Sequence, residues 1–449
     1  MDSLNDRSIP PETRLEALNK KIREEKLATL AGMAGASAME ESNNHIHTCY
    51  SFSPYTPSSA AYRARIAGLT VAGSVDHDSL EAAAEMTEAC RLLGLGSVTG
   101  FEIRVFLGDS WGDLASRKLN NPDSTGILYM TVQGVPASAR DSVRAFLKPI
   151  RERRLERTRN MTDAANSVLA AAGAGGIDFN RDVRGISCYD QGGSITERHL
   201  LAACSKALIE AFGKGPELVR NLQKALDLHL DAKTQARLAD TNNPYLEYDL
   251  LGVLKAEFLP SIFIQPSEEC VTAREAVDFA LDIGAIPAYA YLGDVHESPT
   301  GDKKTEKFED DVLPELLAVL KQIGFPAIAY MPPRNSRAQL ARVRELCAHY
   351  GFMEISGVDI NQPRQSFNCP ELRLPEFSHL NTTTWALVAH EALASIEPSA
   401  GIFSTMNRYS SLQLDERLAI YARCGRDMVR SQRDVSAILA AFEKGRYEA

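Results

Sequence analysis

Two of the chain's nine histidines stand one residue apart in the run Asn44-His45-Ile46-His47-Thr48. Successive side chains of a β-strand alternate, so His45 and His47 on a strand point the same way. Two imidazoles on one strand face suit a bidentate grip on a metal ion. The competing reading is a pair of surface histidines. Val75-Asp76-His77-Asp78 brings a third imidazole to the end of the next apolar run. Three roles are open to His77: ligand, general base, or a ring bonded to Asp76 or Asp78. Gly100-Phe101-Glu102-Ile103-Arg104-Val105 places Glu102 near the end of a third run. A carboxylate in such a strand needs a cation or a metal beside it. Asp359, in Gly357-Val358-Asp359-Ile360-Asn361, follows a late apolar run, with an Asx-turn as the alternative.

The elements that hold these residues alternate. From 43 to 105 short apolar runs are separated by helical segments, as in βαβ units. Thr56-Pro57 predicts an N-cap followed by proline at the first helical position. Asp78 and Glu81 predict a capping box for the next helix, ending near Leu93-Gly94. The rhythm returns near residue 260 with a strand over Pro260–Pro266, a helix opened by Thr272–Glu275, and further strands at 285–293, 325–333 and 352–361. This pattern predicts a parallel barrel or a doubly wound sheet, with the chemistry on loops at the carboxyl ends of the strands. Five segments follow: a helical leader over 1–40, a first barrel part over 41–105, an inserted and mostly helical cap over 106–258, a second barrel part over 259–381, and a helical tail over 382–449.

Composition narrows the partners. With 49 basic and 59 acidic residues the net charge is -10, and no Lys/Arg-rich run is present. Both facts argue against nucleic-acid binding. The first 40 residues carry no apolar h-region, and no run approaches the roughly 18–20 apolar residues that span a bilayer. Eight scattered cysteines without a C-x-x-C pair predict reduced thiols and a cytoplasmic protein. Nothing in the sequence decides whether the chain forms a homo-oligomer.

Taken together and in this order, the H-x-H, D-H, G-x-E and late G-x-D motifs resemble the PHP family, the polymerase and histidinol phosphatase superfamily. The resemblance covers about 40–105 and 260–365, extends to an uncharacterised subgroup sharing "YSFSPY" and "AYLGDV", and leaves the cap and tail unexplained. It implies an α/β fold, a distorted (β/α)7 TIM-like barrel, with the cap as a large insertion. It further implies divalent metals (Zn, Mn or Fe) and phosphoester hydrolysis by metal-activated water. Carried over by motif, His45, His47, Glu102 and Asp359 match the ligands of a first metal.

The departures from the family pattern matter equally. Phe52 and Ser53 stand where an Asp-Gly pair is usual. Tyr291 in Ala290-Tyr291-Leu292 replaces a histidine, and Asn361 replaces another. The resemblance therefore implies one complete metal shell, a second ion shared by Glu102 and Tyr291, and no third. His77 is left as an acid/base group, Tyr291 and Asp294 join it as catalytic candidates, and Asp294 and His296 are candidates to rebuild the lost ligation. Arg104, Arg198, His199, Lys303 and Arg364 are candidate groups for a small anionic substrate, Arg198 and His199 lying in a helix first turn capped by Ser194 and Glu197. The expected activity is a metal-dependent hydrolase, phosphoesterase-like. The alternatives are a mononuclear isomerase or lyase acting on a sugar-derived acid, and a degenerate module with a binding role.

Overall fold

The computed structural model describes residues 3–25, 40–294 and 309–448. Eight strands form one sheet: β1 (Ser42–Ile46), β2 (Val71–His77), β3 (Gly96–Phe106), β4 (Ile127–Gln133), β5 (Val271–Thr272), β6 (Ile286–Tyr291), β7 (Ala327–Tyr330) and β8 (Met353–Ser356). Their order is β1-β2-β3-β4-β6-β7-β8, with the two-residue β5 pairing to β3. All pairs are parallel except those of β4, which runs antiparallel to β3 and β6. The sheet curls into a half-barrel that does not close. Between its ends a single parallel bridge joins Ile46 to Ile360.

Several local expectations hold. Thr56 caps the helix Pro57–Ile66 with proline at its start, and Thr272 and Glu275 form the capping box of Ala273–Asp282. Gly94 ends Ala82–Leu93 in the left-handed conformation that glycine adopts without penalty. The leader helix runs over Pro11–Glu25; the rest of that segment, 26–39, lies outside the described residues. Two expected elements fail. Leu259–Ile262 is a short helix with Pro260 in its first turn, not a strand, because proline favours that position and cannot donate to a sheet ladder. Ile127–Gln133, within the stretch read as helical cap, is instead the strand that joins β3 to β6.

Alternation sorts the sheet into two faces. Phe101, Ile103, Tyr289, Tyr291 and Tyr330 pack against the helices Ala273–Asp282, Leu313–Ile323 and Arg337–Tyr350. Val71, Val98, Ile286, Ala288 and Ile355 face the other way, onto Ser378–Ala394 and Leu414–Ser431. Each fully buried Leu or Ile in these layers contributes about 1.5–3 kcal/mol. The tail therefore fills the base of the second face, and polar residues take over toward the carboxyl ends of the strands. The long helix Arg140–Ala171 and those that follow it to Glu257 build a separate core from Met161, Leu200, Leu208, Leu222 and Leu250. All eight cysteines are free, and no helix among the described residues is long and apolar enough to cross a membrane.

Candidate metal centre

The centre is assembled by a slip in register. Asn43 pairs with Ala72 and Ile46 with Ser74, so β1 spends one residue more than β2 between these points. Such a bulge re-aims side chains. Before it, Ser42 and Asn44 point to Thr384 of the tail helix. Beyond it, Ile46 turns into the apolar cluster with Tyr55 and Met86, leaving His45 and His47 on the second face. The chain after β8 is laced to the same strand: His47 N donates to Ile360 O at 3.0 Å, and Ile360 N donates to His45 O at 3.1 Å. Gly357 permits the approach, since a Cβ there would lie 2.7 Å from the Cβ of His45. Asp359 is thereby delivered to His47, Oδ1 to Nε2, at 3.2 Å.

Five side chains converge. Glu102 Oε2 lies 3.1 Å from His77 Nδ1, 3.8 Å from His45 Nε2 and 3.9 Å from His47 Nε2. Two overlapping groups result, His45–His47–Asp359 and His47–His77–Glu102, each with its donor atoms within 4.8 Å of one another. His45 Nε2 and His77 Nδ1 are buried yet make no hydrogen bond among the described residues. A buried nitrogen facing a carboxylate oxygen without a bonded proton between them is costly unless a cation lies there. The donor set, imidazole nitrogens and carboxylate oxygens, suits Zn, Mn or Fe. These residues fit a metal.

The electrostatics agree with the geometry. Burial, reinforced by neighbouring His47, pushes His45 down to about 4, and burial holds His77 well below the usual histidine range. Both rings are therefore neutral and offer a lone pair. Burial pushes Glu102 up to about 7, the mark of an acid lacking enough positive charge nearby. Burial acts on Asp359 in the same direction, but His47 outweighs it and holds this carboxyl well below the usual range.

Residues behind the centre orient it. Asp76 accepts from Thr48 N, Thr48 Oγ1 and Ser51 Oγ, each at 2.6 Å. Ser51 gives its only proton to Asp76, so at 3.3 Å its oxygen accepts from His47 Nδ1 and leaves Nε2 facing the centre. Neither Asp76 nor Ser51 stood out as a functional residue in the sequence, although Asp76 was named as a partner for His77. The expected capping box at Asp78 is absent, because Asp78 adopts φ 52° and pairs with Arg154 at 2.5 Å. Arg154 belongs to a buried lattice in which Glu197 also meets Arg157 at 2.5 Å and Arg104 at 2.8 Å, and Glu269 meets Arg104 at 2.7 Å.

Other candidates are distributed differently from the expectation. Tyr291 lies on the opposite sheet face from Ala290, and its hydroxyl donates to Asp310 at 2.6 Å, so it does not share an ion with Glu102. Asp294 N donates to the same Asp310 at 3.0 Å, away from the cluster. Asn361 donates its amide to Asp359 at 2.7 Å. Arg104 lines the cavity beside His77 and Glu102, held there by Glu197 and Glu269. His199 is a helix-capping group: its Nδ1 accepts from Thr196 N at 3.0 Å, and burial pushes it down to about 3. Ser194 does not cap that helix but donates to Asp78. Arg364 pairs with Asp249 at 2.8 Å and lies over the Tyr245 ring. Lys303 and His296 lie outside the described residues. Arg198 does face the centre, lining a cavity of about 140 Å³ together with His77, Glu102 and Asp359. Its Nη1 is buried and without a hydrogen-bond partner among the described residues.

No family model matches the chain, and none of the curated proteins matches it in sequence. Among solved structures it is similar to a candidate metal-dependent phosphoesterase from Bifidobacterium adolescentis, at 17% identity over 75% of this chain and 94% of that one, with a TM-score of 0.46. It is also similar to an amidohydrolase from Chromobacterium violaceum with bound sulfate and no metal, at 19% identity over 72% and 88% of the two chains, TM-score 0.47. The ligand set above follows from this chain's own geometry.

Proposed function

We propose that the chain is a metal-dependent hydrolase of the PHP type acting on a small anionic metabolite, with a phosphoester as the reacting group. The observation that carries this reading is the convergence of three imidazoles and two carboxylates around donor atoms that the protein itself leaves unsatisfied. His45, His47 and Asp359 would hold one divalent ion, and His77 with Glu102 would complete an overlapping site around His47. His77 is thus assigned to ligation rather than to proton transfer. A metal held there supplies Lewis acidity and a water of lowered pKa. Arg198 supplies a guanidinium suited to an oxyanion on the reacting group. The Arg154–Asp78 pair holds the turn that follows His77.

The test is metal analysis of the purified protein and of His45→Ala, together with a panel of phosphomonoesters and phosphodiesters. Stoichiometric metal in the wild type, lost in the variant, and metal-dependent phosphate release are expected. Metal without phosphate release, but with turnover of a sugar acid, would put the isomerase or lyase reading in its place.

A further inference from the structure

A second and much larger recess lies beside the centre. It is a groove of about 1020 Å³, walled on one side by the inserted helices and on the other by the chain after β8. That volume matches or exceeds the sites that enclose whole small-molecule ligands. The two recesses share their walls. The helix Leu246–Glu257 turns Gly252 and Val253 to the groove and Lys255 to the metal cavity, while the loop after β8 turns Val358 and Gln362 to one and Asp359 and Asn361 to the other.

Two features of the groove call for a ligand of a particular kind. Gly252 sits inside a helix, where glycine weakens the helix relative to alanine. A Cβ there would meet nothing within 4 Å, so no neighbouring side chain requires the glycine. The open space in front of it is free for a group that approaches the helix backbone. The second feature is charge. Four carboxylates, on Asp227, Asp231, Asp249 and Glu257, line the groove against two guanidiniums, on Arg237 and Arg364. The balance repels an anion, in contrast to the arginine-lined cavity at the metal. Asp249 is already paired with Arg364, and Asp231 caps its own helix by accepting from Thr234 N. Among the described residues, the side chains of Gln223 and Gln362 make no hydrogen bond. Amides offer a donor and an acceptor side by side, the pattern that neighbouring hydroxyls complement, while Tyr248 and Val253 supply an apolar surface.

We propose that this groove seats an uncharged, polyhydroxylated group, a glycosyl moiety, carried by a substrate whose anionic end reaches the metal centre. The link to hydrolysis rests on the reading above; the binding does not, and it is measured with and without metal. Saturation-transfer NMR on the full chain with glucose, galactose, mannose, ribose, maltose and cellobiose, and with spermidine as a cationic comparator, reads it directly. At least one sugar is expected to respond in the wild type. Gly252→Trp, which fills the open space, should lower that response at least fivefold while melting temperature and metal content stay unchanged, and Gln362→Ala should lower it more modestly. Gly252→Ala checks the fold and should melt at the same temperature or higher. The inference is overturned if no sugar responds, if the response survives Gly252→Trp, or if spermidine alone binds. Failure of the hydrolase reading would show separately, as absent metal or absent phosphate release.

Discussion

Arg154→Met removes the cation that joins the inserted helices to the turn beside His77. The Arg154 side chain is 2% exposed and meets Asp78 at 2.5 Å and Glu197 at 2.9 Å. Without it, three buried carboxylates, on Asp78, Glu197 and Glu269, face only the two guanidiniums of Arg104 and Arg157. Glu197 keeps both of these, so the deficit falls on Asp78, whose remaining side-chain partner among the described residues is the Ser194 hydroxyl at 3.0 Å. Breaking a buried pair by deleting one partner costs about 3–5 kcal/mol, mostly the penalty of the charge left behind. Adding Asp78→Asn removes that charge, and the double variant should recover about 0.5–3 kcal/mol. Urea unfolding at neutral pH, followed by circular dichroism, measures both. Asp78 holds φ 52° and its N–H donates to Glu102 O at 2.9 Å, so metal content should fall in the single variant as well. A cost below about 1 kcal/mol, the range of exposed pairs, would refute the reasoning by showing that the lattice is hydrated.

Ser51→Ala frees His47 Nδ1 from its acceptor and should weaken metal binding about 10–100-fold without unfolding the chain, measured by competition with a chelator. Tyr291→Phe should leave metal content unchanged and cost about 1 kcal/mol through the lost bond to Asp310; loss of metal would restore Tyr291 to the centre. Burial raises Glu391 to about 7 in the folded chain, against about 4.3 when unfolded. A raised acid stabilises the fold below its unfolded value, and that contribution is lost as pH rises through the folded value. Glu391→Gln can still accept from Thr99 N and donate to Thr99 Oγ1, so between about pH 4 and 7 its stability should fall less steeply than the wild type's; parallel curves would contradict the assignment.

The residues legible in the sequence were those governed by local rules. His45 and His47 obey strand alternation, and Glu102 stood out because carboxylates are scarce in buried strands. Alternation also corrects the sequence reading at Tyr291: position 290, not 291, faces the centre, a point fixed only once β6 pairs with β4 and β7. The capping boxes expected at Asp78–Glu81 and Ser194–Glu197 failed because distant arginines claim Asp78 and Glu197, a tertiary effect that spacing does not encode. β4 was missed because it breaks the strand–helix rhythm as the sheet's lone antiparallel member. The helical tail expected over 382–449 begins within the helix Ser378–Ala394, but Glu391 reaching Thr99 at the base of the sheet has no sequence signature.

The central claim is that His45, His47, His77, Glu102 and Asp359 hold metal. Anomalous diffraction from crystals of the metal-loaded protein tests it most directly. The account predicts an anomalous peak within coordination distance of His45 Nε2, His47 Nε2 and Asp359 Oδ1. Crystals grown with excess Zn or Mn that show no peak among these side chains, or one bound elsewhere, would contradict it.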